Sequence, residues 1–169
     1  NKSGPGDTAE RFATTFDDDF SGWQELRFPW EVFYRDAWQP GLEPNDGLTL
    51  SETWAYAIVP TSGSGTFFID QVKLFKTTGP TVDDFQAGVP ATWFTYGDVG
   101  AGAYYTPTAV LTNTITAPGV ISDTILRVDY NIAGWGAGGG RNLAPDDWSA
   151  YDGLSLWFFG QNSGTTFRI

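Results

Sequence analysis

GLSLWFFG, residues 153–160, decides how the rest of the chain is read. Alternation puts Leu154, Leu156 and Phe158 on one side of an extended chain and Ser155, Trp157 and Phe159 on the other. A strand at a wet surface would be polar on one of those sides, so a segment that is apolar on both is expected at the centre of a sheet. Such a strand needs neighbours, and the flanking sequence offers them. TILRVDYNI (124–132) sets Leu126, Val128, Tyr130 and Ile132 against Arg127, Asp129 and Asn131, and TFFIDQVKLF (66–75) places Phe68, Val72 and Leu74 on one side. WQELRFP, TWAYAIVP and AERFATTF read as further strands, each bounded by Gly, Pro, Asp or Ser. No stretch sustains the 3.6-residue period of an ordinary helix. The expected fold class is therefore all-β, a sandwich of two antiparallel sheets.

Composition narrows the function. A chain of 169 residues is expected to form one domain with a substantial core. Its net charge of −11 disfavours nucleic acid and anionic membranes as partners. With no His and no Cys, the usual Ser/His and Cys/His nucleophile pairs cannot be assembled, and there is no thiolate metal site. No apolar run is long enough for a membrane helix, so no membrane insertion is expected. The absence of Met suggests a processed chain or a piece of a longer one.

Three short patterns read as ordinary structure. GWGAGG (134–139) matches a dinucleotide fingerprint, but RNLAPDDW follows where a helix would have to start, so a flexible or close-packed loop is expected. Asp17, Asp18 and Asp19 lack the distal Glu of a calcium loop and read as a solvated turn. Two spaced carboxylates would suffice for glycoside hydrolysis, yet no Asp or Glu stands out. The aromatic content is more telling. Sugars present C–H faces and equatorial hydroxyls, so Tyr or Trp beside Asp, Asn or Arg in a sandwich is the chemistry of a glycan groove, although most such rings fill the core.

The residues also carry a resemblance. VDDFQAG from Val82, WFTYGD, TILRVDYNIAGWG, DDWSAYDGLSLWFFG and TTFRI resemble the first half of family-eleven carbohydrate-binding modules. GDTAERF, DDFSGWQELRFPWEVFYRDAWQP and SGTFFIDQVKLF resemble the second half. Residues 1–79 thus stand for the family's C-terminal half and 80–169 for its N-terminal half, which makes the chain one domain-equivalent in swapped order. A permuted domain and a window cut from tandem repeats both produce that order, with KTTGPT (76–81) as the join. In the second case FRI (167–169) would leave an unpaired strand edge through which half-domains of neighbouring units complement one another, as in an extracellular fibre or surface filament.

The resemblance implies a jelly-roll of the galactose-binding-domain kind and a non-catalytic module that binds β-glucan-type polysaccharide, from a multimodular extracellular or cell-surface protein. It implies sugar-stacking rings at Tyr96 and Tyr130, although Tyr130 shares its face with Leu126 and Val128. It places a polar contact at Asp7, and an Arg, Asp and aromatic group at Arg35, Asp36 and Trp38 in YRDAWQP. There Trp replaces the family's Tyr and the Asp is displaced by one position. A further family Tyr falls on Val59, which removes one platform. A structural calcium ion is implied at Asp70, Asp83 and Asp84. Self-association with neighbouring repeats is the alternative role.

Overall fold

The structure is a computed structural model that describes residues 9–41, 43, 45–76, 79–112 and 123–169. Its strands, in chain order, are β1 (Phe12–Ala13), β2 (Thr15–Asp17), β3 (Ser21–Pro29), β4 (Tyr34–Arg35), β5 (Thr53–Pro60), β6 (Ser64–Phe75), β7 (Thr81–Asp83), β8 (Trp93–Gly97), β9 (Tyr104–Thr112), β10 (Asp123–Asn131), β11 (Ala137–Asp146), β12 (Gly153–Gln161) and β13 (Thr166–Arg168). One sheet runs β3-β12-β6-β10-β9, with β7 beside β6; the other runs β2-β13-β5-β11-β8, and β1 pairs with β4. Every pairing is antiparallel. The fold is all-β, as expected from the alternation.

GLSLWFFG is β12, hydrogen-bonded to β3 on one side and β6 on the other. Its inner residues Leu154, Leu156 and Phe158 are buried. Phe158 stands at the centre of the core, with the Phe16, Phe67 and Phe167 rings 5.0 to 5.8 Å away. Burying a side chain of this size contributes roughly 1.5–3 kcal/mol, and each ring pair adds about 0.5–1.5 kcal/mol. Strands of residues 1–79 and 80–169 interleave in both sheets: β12 lies between β3 and β6, and β13 between β2 and β5. Both edges of β13 are therefore used, and Ile169 exchanges two 2.9 Å backbone hydrogen bonds with Thr14. Within this chain Phe167 and Arg168 of FRI are paired on both sides.

Local departures from the sequence reading have identifiable causes. In β6 the pairing with β12 steps from Ser155–Lys73 to Trp157–Asp70, so β6 carries an extra residue, and Gln71 takes a positive φ of 48°. This bulge reverses the alternation. Phe67 and Ile69 face the core before it and Val72 and Leu74 after it, which leaves Phe68 on the outer face rather than beside Val72. Asp18 is not solvated. It is buried, and its carboxylate accepts the backbone N–H groups of Gln161, Asn162 and Ser163 at 2.9–3.2 Å and the Ser163 hydroxyl at 2.6 Å, holding the β12–β13 turn. AERFATTF divides into β1 and β2 at Thr14.

The glycine-rich loop expected from GWGAGG contains the start of β11. A Cβ on Gly140 would lie 2.0 Å from the Tyr56 carbonyl oxygen, and one on Gly139 would lie 2.6 Å from Cε1 of Tyr105. Only bare backbone lets β11 sit this close to its surroundings.

Candidate functional site

The outer face of the five-stranded sheet carries a groove of about 1010 Å³. Along β5, Tyr56 and Ile58 point to the core, so Ala55, Ala57 and Val59 form the groove floor. Their small size, with Gly138 of β11 next to them, is what makes a depression there. A Cβ on Gly138 would stand 2.5 Å from the Tyr96 hydroxyl and 3.0 Å from Cγ2 of Val59. The Tyr96 ring therefore leans over the sheet into space that any side chain at 138 would need.

Rings and polar groups line the walls. Phe94 and Tyr96 come from β8, Trp135 from the turn before β11, and Trp38 from the segment after β4; Asp36, Arg168 and Asn142 also line the groove. Tyr96, Trp38 and Trp135 are 38%, 57% and 68% exposed. Burial on the sheet raises the Tyr96 hydroxyl above its ordinary pKa, so the ring remains neutral and able to donate a hydrogen bond at neutral pH.

Trp38 is held by its neighbours. The Asp36 carboxylate accepts the Trp38 backbone N–H at 2.9 Å and pairs with Arg168 at 3.0 Å. The Gln39 amide donates to the Arg11 and Asp36 carbonyls and accepts the Arg11 N–H, clamping this segment onto the residues before β1. The Arg11 guanidinium lies 3.9 Å from the Trp38 ring centroid, a cation–π contact that covers part of the indole and fixes its plane.

The residues singled out from sequence have different fates. Tyr96, Trp38 and Asp36 come together at the groove. Arg35 does not line it; its guanidinium bridges Glu10 at 2.5 Å and Glu43 at 2.8 Å and so ties β4 to the segment before β1. Tyr130 is a correction. It is 3% exposed, packs on Phe67 and Phe167 at 6.0 and 6.2 Å, and directs its hydroxyl to Thr165 at 3.4 Å. Its alternation with Leu126 and Val128 turns it into the core, leaving no ring face for a sugar. Asp7 lies outside the described residues. Val59 lies on the floor.

Phe94, Trp135, Asn142 and Arg168 line the groove and escaped the sequence reading. Arg168 is the last residue of β13 and belongs with Asp36, 132 positions away, which no local pattern reveals. Trp135 stood inside a glycine-rich match set aside as a loop. Its signal was a bulky apolar residue between two glycines.

The acids implied for calcium have protein partners. Arg141 forms an ion pair with Asp83 and donates to the Val82 carbonyl at 2.7 Å, while the Tyr56 hydroxyl donates to the other Asp83 oxygen at 2.5 Å. A guanidinium already stands against these oxygens. Asp70 is buried in the β6 bulge and accepts the Gln71 N–H at 2.7 Å, and Asp84 accepts the Gln86 N–H at 3.1 Å. Among the described residues no three acidic side chains converge as metal ligands.

Compared with known proteins, residues 1–78 match the model of the carbohydrate binding domain, family 11. No curated protein and no solved structure matches the chain.

Proposed function

We propose that the chain is a carbohydrate-binding module of family 11, the family whose model matches residues 1–78, and that it holds β-glucan-type polysaccharide, without hydrolysing it, in the groove of the five-stranded sheet. The observation that carries this reading is the groove itself: a floor of Ala55, Ala57, Val59 and Gly138 beneath the exposed rings of Tyr96 and Trp38. A β-linked glucose unit has a flat face of axial C–H bonds and a rim of equatorial hydroxyls. The face suits an exposed indole or phenol ring, and the rim suits the carboxylate of Asp36, the guanidinium of Arg168 and the amide of Asn142.

The electrostatics favour a neutral glycan. Arg168 is paired with Asp36, Arg35 with Glu10 and Glu43, and the chain as a whole is strongly acidic, so a polyuronate would be repelled. We place the module outside the cell, within a multimodular protein that brings it to insoluble or gel-like polysaccharide. Titration with mixed-linkage β-glucan oligosaccharides, followed by Trp fluorescence, tests the reading. It expects a saturable change and no release of reducing ends on prolonged incubation. A flat response from folded protein, or steady release of reducing ends, would overturn it.

A further inference from the structure

Two segments of the chain share the sheets unequally. Among the described residues, every strand up to Phe75 apart from β1 and β4, which pair with each other, is paired only with strands from Thr81 onwards: β2 with β13, β3 with β12, β5 with β11 and β13, and β6 with β7, β10 and β12. The first segment therefore enters both sandwich sheets only through the second. Residues 76–80 alone connect the two along the chain. The groove is divided in the same way: Asp36, Trp38 and the β5 floor come from the first segment, and Tyr96 and Arg168 from the second. The 3.0 Å ion pair of Asp36 with Arg168 crosses between them.

The connection is a tight reversal. The Leu74 N–H donates to the Pro80 carbonyl at 3.1 Å, and β7 folds back antiparallel on β6 with Lys73 opposite Thr81. A Cβ on Gly79 would collide with the Leu74 carbonyl, although the φ of Gly79 is not in the left-handed region. The closed reversal thus excludes a side chain at 79 for lack of space, whereas a chain running straight on from β6 into β7 has no such obstacle.

We propose that two copies of this chain exchange these segments, the residues from Thr81 onwards of each copy completing the sheets of the other, so that every groove takes Trp38 from one copy and Tyr96 from the other. The partner is a second copy because the strands that a segment needs are those its own chain carries, and any copy presents them in the same register. Closed and exchanged forms contain the same sheet pairings and differ at the join, so protein concentration and the strain of the reversal decide between them. A short join holds its own segment at an effective concentration of roughly millimolar, and the closed form prevails in dilute protein. Interconversion has to break pairings in both sheets and is as slow as unfolding.

The test refolds the whole chain from urea over a range of concentrations, in salt that screens the net charge of −11 on each copy, and reads mass by light scattering. The parent is expected to be monomeric when dilute and to yield dimer as it approaches the millimolar range. Gly79→Ala should reach the same dimer fraction at about tenfold lower concentration, and a chain with flexible Gly-Ser residues inserted between Gly79 and Pro80 at a higher one. Isolated dimer should survive dilution for hours, because separation requires unfolding. A further readout rests on the groove reading: Trp38→Ala and Tyr96→Ala, each weakened in β-glucan binding alone, should recover parent-like sites when refolded together, since exchange reunites the two intact segments. Monomer at every concentration in the parent would overturn the inference, whether or not Gly79→Ala folds. Dimer that separates within minutes of dilution, or forms equally in all three chains, would overturn it in favour of a contact between the faces of two closed copies. A parent that binds β-glucan, with no recovery in the mixed dimer, would overturn the exchange alone. A parent whose dimer follows the join and survives dilution but binds no glycan would overturn the groove reading and leave the exchange standing.

Discussion

On the outer face of the six-stranded sheet, Trp23 meets Phe159 at 72° and Phe68 meets Phe159 at 87°, with centroids 5.6 and 6.0 Å apart. On the outer face of the five-stranded sheet, Phe94, Tyr96 and Trp135 lie within 16° of parallel. The difference is one of use. An edge-to-face contact closes one ring against the rim of the next, so that cluster satisfies itself and is half-buried. The near-parallel rings make no such rim contact, and Tyr96 and Trp135 remain exposed. Ring orientation separates the two patches: one closes on itself, and the other leaves Tyr96 and Trp135 exposed.

The sharpest test of this contrast lies beneath both faces. Tyr130→Ala should cost about 3–5 kcal/mol in urea unfolding, the scale of a large-to-small change in a packed core. Tyr130→Phe should bind β-glucan as the parent does, because the ring never meets the ligand. Loss of binding by a folded Tyr130→Phe protein would move the site into the core region and break the comparison.

Next in size is the join between β11 and β7. Arg141→Ala strips the partner from a buried Asp83 and should lower stability by roughly 3 kcal/mol, since an uncompensated buried charge is left behind. Chelation of divalent ions should leave the melting temperature of the parent unchanged, because the guanidinium already stands where a cation would. A large drop on chelation would contradict that assignment.

The groove and its opposite face are then separated directly. Trp38→Ala should weaken β-glucan affinity on the order of 2 kcal/mol, roughly 30-fold, with little change in melting temperature. Trp23→Ala should do the reverse, lowering stability by about 1 kcal/mol while titrating as the parent does. If Trp23→Ala lost affinity as Trp38→Ala does, packing geometry would not distinguish the two faces.

The smallest effect is a pH dependence on the closed face. Partial burial pushes the Asp129 carboxyl up, but hydrogen bonds from Thr66 and Arg127 outweigh it and hold it below the ordinary carboxylate range. A lowered folded pKa means that the contribution is present above the unfolded value, about 3.9, and is lost as pH falls through the folded one. Asp129→Asn should therefore remove a shallow acid-side fall in stability below about pH 4 and leave glycan binding at neutral pH unaltered.

Some of this could be read without coordinates because it depends only on alternation. Period two in GLSLWFFG and TILRVDYNI assigns faces whatever the neighbours are, so the central strand, the all-β class and the burial of Leu126, Val128 and Tyr130 follow from residue order. The same rule failed for Phe68, because a single extra residue at Gln71 reverses parity and leaves no mark in composition. It also failed for Gly138, Gly139 and Gly140, which have no side chain to alternate.

The sequence by itself determined which residues could be rings on a sheet and that no nucleophile of the His or Cys type exists to attack a bound ligand. Only the tertiary structure decided which rings have a free face. Exposure of a ring depends on what crosses in front of it, and those partners are distant in the chain: Gly138 beneath Tyr96, Asp36 beside Arg168, Asp98 under the Trp135 turn. A one-dimensional pattern fixes the side of the strand on which a residue stands, whereas a site is fixed by contacts across strands, and those exist only once the sheets are assembled.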